Sequence, residues 1–435
     1  MMNNGLSIYR GKRILLLQGP LGPFFSRLAT DLARIGAEVH KVNFNGGDWV
    51  FFNGPNAYSF RGQPEDWPNF FNGLLENLKI DYVLLFGDCR EYHRKAHAIA
   101  KAKGIEVGVF EEGYLRPDWI TLEHSGANGH SEIPRDPDFY RGMNLQTHDR
   151  HVRVVGKTFA MTAMWAIMYY LAACMLWPLY PHYRHHRPLS LMEAIPWIRA
   201  GWRKLFYSVT ERHVLDRLIR EKSGNFFLVP LQVHNDSQVC VHSPYADVCE
   251  FMVEVVASFA AHAPRDSLLV IKHHPMDRGY HDYSGLIREL QQQYGLNGRL
   301  VYVHDLHLPT LLDHATGVVV INSTVGLSAL LHGAPTLTRG SAFYDIEGMT
   351  YQNGLDSFWE SAREVRIDTD VLNGFRLYLQ RCKLINGNYY KRIAESDMAT
   401  GLMWSQDQLP HCDTLSGRRI AHKPASLLHS TSHQI

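Results

Sequence analysis

The chain has 435 residues, enough for two domains of ordinary size, and its 45% hydrophobic and 20% charged residues read as globular. A formal net charge of +1 gives no global pull toward nucleic acid. Six cysteines without a C-x-x-C pair and 25 histidines without an H-E-x-x-H spacing predict neither a disulfide framework nor a metal centre, and they fit a reducing cytoplasm.

The first apolar run, Ile14 to Leu17, is too short for a secretory signal. It sits in KRILLLQG, a buried-strand pattern followed by GPFFSRLATDLARIG at helical spacing. AEVHKVNF (strand), WPNFFNGLLENLK (helix), DYVLLFGD (strand), REYHRKAHAIAKAKG (helix) and IEVGVFEEG (strand) continue the cadence. That alternation predicts βαβ units and a mostly parallel sheet.

Residues 140–215 break the pattern. No Asp, Glu, Lys or Arg occurs from Thr158 to Tyr183, while Arg150, Arg153, Lys157, Arg184 and Arg187 flank that stretch. It is long enough by count to span a bilayer. A true span would put the two halves of one cleft on opposite sides of the membrane, so two readings stay open. One is an interfacial helix with an aromatic, basic rim (HYRHHRP, His182–Pro188, included); the other is a buried core helix.

The βα cadence returns with NFFLVPLQV. Ser243 and Pro244 predict the start of a helix whose apolar face is Val248, Phe251, Met252, Val255, Val256 and Phe259. SLLVIKHHP, RLVYVHD and TGVVVINS follow as strands, and STVGLSALLHG opens a helix directly from a strand. The expected architecture is α/β: two Rossmann-like domains, 10–140 and 216–400, face a cleft, with a helical apolar insertion at 141–215. A polar tail at 401–435 is expected to be poorly ordered.

Chemistry-bearing residues fall at strand ends, where open α/β sheets bind ligands. Gln18 and Gly19 lie in a Gly-rich turn that either approaches a substrate or packs domain on domain. Asp88 caps the next helix or meets a ligand. Glu111 and Glu112 end a strand in FEEGYLRP; side chains alternate there, so one active carboxylate is expected, with Arg116 as an ion partner or an anion ligand. Asp236, in QVHND, follows the first strand of the second half, where a turn role is as common as a chemical one. Lys272 and His274 in KHHP suit a phosphate, as do Ser323 and Thr324 at a helix N-terminus, although the latter also read as plain capping. Asp345 and Glu347 are weaker candidates for a ribose. One carboxylate to attack an oxocarbenium-like centre and one to move a proton is the set that glycosyl chemistry needs.

QGPLGPFF, KVNFNGGDW, FGDCR, FEEGYLRPDWITLE, PLQVHNDSQV, KHHP and NSTVGLSALLHGAP, in this order, resemble the capsular polysaccharide biosynthesis and export family of the KpsS/LipB type. The resemblance covers most of 10–350. It implies a GT-B-like retaining β-Kdo transferase that uses CMP-Kdo, without a cofactor or metal, to start a Kdo linker on a phosphatidylglycerol-type lipid. The work would be done at the inner face of the cytoplasmic membrane, beside a KpsC-type transferase that extends the linker and a capsule export complex; nucleic acid is not an expected partner. Its Q-x-x-x-D motif falls on Gln232 and Asp236, the latter as nucleophile. E-[DE]-G-[FY] falls on Glu111, Glu112 and Gly113, with Glu112 favoured as acid/base. K-x-H-P falls on Lys272, His274 and Pro275, and S-T-x-G on Ser323, Thr324 and Gly326. Two alternatives are a related transferase with another nucleotide-sugar donor and a non-catalytic export factor that binds the glycolipid.

Overall fold

The computed structural model describes residues 4–143, 152–184, 194–234 and 236–404. The strands are β1 (Arg13–Leu16), β2 (Glu38–Asn43), β3 (Ala57–Ser59), β4 (Tyr82–Phe86), β5 (Glu106–Glu112), β6 (Trp119–His124), β7 (Phe226–Pro230), β8 (Leu268–Lys272), β9 (Leu300–Val303), β10 (Gly317–Val320), β11 (Thr336–Thr338) and β12 (Leu384–Asn386). The helices are α1 (Phe24–Arg34), α2 (Gly46–Phe51), α3 (Trp67–Asn77), α4 (Glu91–Ala102), α5 (Pro137–Arg141), α6 (Phe159–Met175), α7 (Ala194–Thr210), α8 (Arg212–Arg220), α9 (Ser237–His242), α10 (Val248–His262), α11 (Ser284–Gln293), α12 (Leu308–His314), α13 (Thr324–Leu331), α14 (Leu355–Ser361) and α15 (Thr369–Tyr378).

Two sheets organise the chain. One runs β12-β6-β5-β4-β1-β2-β3 and the other β11-β10-β7-β8-β9. β1 to β5 pair in parallel, and so do all strands of the second sheet. Read from β3 and from β9, each sheet has the Rossmann order 3-2-1-4-5. The strand order reverses between β1 and β4 in one and between β7 and β10 in the other. The two α/β units are those expected from the sequence. Helices cover both faces of each sheet, so strands such as FFLVP and GVVV are buried at every position.

The return of the chain differs from expectation. β12 pairs antiparallel with β6, and Leu402 and Trp404 join the core under α1. Residues from 384 on therefore complete the first sheet rather than ending a second domain at 400. Residues 405–435, the bulk of the expected tail, lie outside the described residues, as do His185–Pro188.

α10 also starts later than Ser243 and Pro244 suggest. Asp247 is its cap: its carboxylate accepts from Glu250 N at 2.9 Å, and Glu250 Oε2 accepts from Ala246 N at 2.7 Å. That reciprocal pair satisfies two donors at once, which Ser243 does not do. Ser243 instead ends α9, donating to Val239 O at 2.6 Å. The predicted apolar face is intact: Val248, Phe251, Met252, Val255, Val256 and Phe259 are all buried. Each contributes about 1.5–3 kcal/mol of burial.

The uncharged insertion is neither wholly core nor wholly free. α6 lays Ala166, Tyr169 and Ala173 against α2, and Tyr169 donates to Asp48 Oδ1 at 2.9 Å. Its other face leaves Phe159 80% and Met175 78% exposed, with Ile167 and Leu171 between them. α7 repeats this at helical spacing: Ile195, Ile198, Trp202, Leu205, Phe206 and Val209 form an exposed stripe. Its opposite side is pinned to the second domain by Arg203, which donates to Arg278 O at 2.9 Å, and by Tyr207, stacked on His304 at 3.8 Å. Among the described residues, no helix is long and apolar enough to cross a membrane.

Candidate active site

Both reversal points present polar side chains toward one joint. In the first domain, β1 leads to Gln18 and β4 to Asp88. Gln18 is buried; its amide donates to Tyr183 OH at 2.9 Å and Tyr169 OH at 3.1 Å, and its carbonyl accepts from Arg90 at 2.9 Å. Both of its ends are thus engaged within the first domain, where they tie the turn to α6. A side chain at Gly19 would meet the Phe25 ring at 2.8 Å, so the turn closes tightly on α1. Asp88 does not cap α4. It is buried and accepts from Ala127 N and His130 Nδ1, both at 3.1 Å, which holds the 127–130 loop.

β5 and β6 form an antiparallel hairpin that carries FEEGYLRPDWITLE. Alternation sends the two glutamates apart. Glu111 accepts from Asn128 Nδ2 at 3.3 Å and lies beside Gly87 and Asp88. Glu112 turns toward Arg116 and Tyr390. Loss of solvation pushes Glu111 up to about 7; the neighbouring charges of Glu112 and Asp88 add to the rise, while the Glu112 N–H and Arg90 oppose it. Glu112 is also raised by burial, opposed by Arg116 and by a hydrogen bond from Tyr390. Arg116 itself donates to Gly113 O at 3.3 Å.

In the second domain, β7 delivers Gln232 and Asp236. Asp236 caps α9, accepting from Gln238 N at 2.9 Å through Oδ1, while Oδ2 accepts from Gln232 at 3.1 Å. The turn reading and the chemical reading of this aspartate therefore coexist: the cap orients the carboxylate. Gln232 also donates to Asn322 Oδ1 at 3.0 Å. Asn322, at the end of β10, donates in turn to Gln238 O at 2.9 Å and His242 O at 3.3 Å. It fastens α9 to the reversal point, a role that sequence reasoning did not assign to it.

Lys272 ends β8 and is buried. That burial lowers its pKa, with Asp305 and Glu211 pulling it back up. His273 points into the core, where Tyr302 OH pairs with its Nδ1 at 2.6 Å; burial lowers its pKa to about 4. His274 points the other way. Its Nδ1 accepts from Met276 N at 3.2 Å, which leaves the proton on Nε2 as a donor. Ser323 caps α13 through Val325 N at 3.2 Å, and Thr324 is the first helical residue. Gly326 is there for packing: a side chain would meet Tyr344 OH, which donates to Ser323 O. Asp345 is taken up by Thr350 Oγ1 at 2.6 Å and Gln352 at 3.1 Å, so its carboxylate serves its own loop.

The two domains meet where these groups converge. α9 packs its Gln238 and His242 against Cys89, each at 3.6 Å from the sulfur, and His242 stands against His130 with ring centres 4.4 Å apart. Glu111 reaches the same loop through Asn128. Glu111 and α9, the helix that Asp236 caps, thus both reach the 127–130 loop, one from each domain.

Two solved structures overlap the chain distantly. "Thermosulfurimonas dismutans KpsC, beta Kdo 2,7 transferase" is 15% identical, covering 84% of this chain and 89% of that chain at a TM-score of 0.38. The UDP-GlcNAc 2-epimerase from Methanocaldococcus jannaschii is 13% identical, covering 84% and 98%, at 0.30. The relatives in sequence are far nearer. The chain is 45% identical over 394 residues to the "Capsule polysaccharide export protein KpsS" of Escherichia coli, covering 90% of this chain and 100% of that protein. It is 40% identical over 389 residues to the "Capsule polysaccharide modification protein LipB" of Neisseria meningitidis serogroup A, covering 88% and 92%. Residues 81–390 match the family described as capsule polysaccharide biosynthesis protein. By both the family match and these long alignments, the chain belongs to the capsule polysaccharide biosynthesis family, among proteins of the KpsS/LipB type.

Proposed function

We propose that the chain is a retaining glycosyltransferase that moves Kdo from CMP-Kdo to a phosphatidylglycerol-type lipid, starting a capsule linker. The observation that carries this reading is that Asp236, oriented at the start of α9, and Glu111, raised by burial, come from opposite domains whose contact runs through α9 and the 127–130 loop. Asp236, oriented by Gln232 and its own helix, attacks the anomeric carbon as the bond to CMP breaks, giving a glycosyl ester and free CMP. Glu111, poised near neutrality, takes the proton of the acceptor hydroxyl. That oxygen then displaces the aspartate, and the second inversion restores the configuration.

In this reading Lys272, His274 and the α13 terminus bind the phosphate of the leaving CMP, whose charge they offset as donors. The lipid acceptor accounts for the exposed stripes of α6 and α7. Side chains link the two helices, with Lys204 5.7 Å over the Phe159 ring and Tyr170 6.1 Å from Trp197. Arg153, Lys157 and Lys204 are exposed beside them and suit an anionic leaflet. The protein docks on the inner face of the cytoplasmic membrane, and a KpsC-type transferase extends its product.

The test is direct. Purified protein is incubated with CMP-Kdo, generated in situ, and a fluorescent phosphatidylglycerol analogue, and products are read by mass spectrometry. A lipid heavier by one Kdo residue supports the reading. No product with CMP-Kdo, but product with another nucleotide sugar, would assign a different donor to the same architecture.

A further inference from the structure

We propose that Cys89, His130 and His242 form a binding site for a thiophilic divalent metal ion, zinc or a close relative, that joins the two domains beside the cleft. The ligand atoms of these three residues all lie within 4.8 Å of one another. They come from the turn after β4, the loop after β6 and the last residue of α9, so the cluster exists only when the domains are together.

The geometry fits an ion of this kind. Cys89 Sγ and His242 Nε2 stand 3.6 Å apart. A tetrahedral zinc bound at about 2.3 Å to sulfur and about 2.0–2.1 Å to nitrogen holds those two atoms about 3.6 Å apart. His130 has the partner that metal-bound histidines commonly have. Its Nδ1 is bonded at 3.1 Å to the buried carboxylate of Asp88, which leaves Nε2 to coordinate. The approach is built in: a side chain at Gly129 would come within 2.4 Å of the His242 ring, so only glycine lets the loop close on α9.

One thiol and two imidazoles select zinc, cobalt or nickel over magnesium or calcium, which take oxygen ligands. Coordination replaces the thiol proton of Cys89, which leaves to solvent. Three protein ligands leave a fourth position for water or a substrate oxygen. The site stands whether or not the transferase reading does. If that reading holds, the ion fixes the helix that begins at Asp236 to the loop that contacts Glu111.

The test uses the tag-free full-length chain, with the metal itself as probe. After expression in zinc-supplemented medium and gel filtration, about one zinc per chain is expected in the wild type and in Cys240→Ser, an exposed control; Cys89→Ser and His242→Ala should hold far less. Cobalt added to the metal-stripped protein should give a thiolate charge-transfer band that Cys89→Ser lacks. Asp88→Asn should keep the band but bind about 10- to 100-fold more weakly. X-ray absorption on the unmodified zinc protein should show one sulfur and two imidazole nitrogens, which needs no variant to fold. Equal zinc in wild type and Cys89→Ser, a shell without sulfur, or no zinc after gel filtration would overturn the proposal.

Discussion

Gln232 Nε2 donates to Asp236 Oδ2 at 3.1 Å, while Gln238 N holds the other carboxylate oxygen at 2.9 Å. The four-residue spacing of the Q-x-x-x-D motif is therefore a hydrogen bond across the turn that opens α9. It fixes the direction of the carboxylate before any substrate arrives. Asp236→Asn keeps a capping oxygen, so thermal unfolding should hardly move, yet transfer should be lost because an amide cannot form the glycosyl ester. Asp236→Ala should lose transfer and also about 1 kcal/mol of stability, the cost of the missing cap. Near-normal turnover in the Asn variant would remove Asp236 from the mechanism.

Glu111 gives a pH signature. As a base it must be ionised, so kcat/KM should fall as pH drops below about 7, the value to which lost solvation raises it. Glu111→Gln should lose that acid limb along with about 100- to 10,000-fold of rate. Stability should move the opposite way. A carboxyl whose folded pKa is raised costs stability as pH climbs from the ordinary carboxylate range to about 7, and the cost stays constant above that. Glu111→Gln should therefore be more stable than wild type at pH 8 and no more stable at pH 4, read by thermal unfolding. A full-rate Glu111→Gln with an inactive Glu112→Gln would restore the role to Glu112.

The CMP phosphate should depend on Lys272, His274 and Ser323. Loss of one charge-assisted contact costs about 1.5–3 kcal/mol, or roughly 10- to 150-fold in Kd. Calorimetry with CMP should show that loss in Lys272→Ala and His274→Ala. Ser323→Ala also removes the α13 cap, so its binding change is read at a temperature where the fold is intact. Unchanged affinity in all three would move the phosphate elsewhere.

The α/β repeat was legible because period and composition are local: most buried strands, FFLVP and GVVV among them, are continuous apolar runs bounded by a turn. Strand ends therefore marked Glu111 and Glu112, with Glu112 favoured, and Asp236, Lys272 and Ser323 as candidates from the sequence. The choice between Glu111 and Glu112 was not legible, since alternation only says they face apart, while the loop at Asn128 decides which one meets the joint. β12 is three residues long and shows no period. Cys89, His130 and His242 are separated by 41 and 112 positions, and no local spacing reports a cluster that two domains assemble. Asn322 sat inside a capping motif, where its links to α9 were masked by the serine and threonine beside it.

The aromatic residues of 158–183 divide by role, and the membrane prediction follows that division. Trp165 donates to Tyr390 O at 3.2 Å, and Tyr180 is buried and bonded to Ser59 at 2.8 Å. Replacing those two would disturb the first domain itself. Phe159, Met175 and Trp177 on the α6 side, and Ile198, Trp202 and Phe206 on α7, are exposed. Serine at Ile198, Trp202 and Phe206 should each cost no more than about 0.5 kcal/mol of stability, as surface changes do, so the triple variant stays folded. Flotation with phosphatidylglycerol vesicles should fall sharply. Activity on a vesicle-borne acceptor should fall with it, and activity on a short soluble acceptor should not. Wild-type binding should weaken as salt rises, because the basic flanks supply an electrostatic share that screening removes. α6 is fixed to the first domain and α7 to the second, so a surface that takes both stripes also restrains the cleft between them. A wild type that never floats with anionic vesicles would leave the enzyme's chemistry untouched and end the docking proposal.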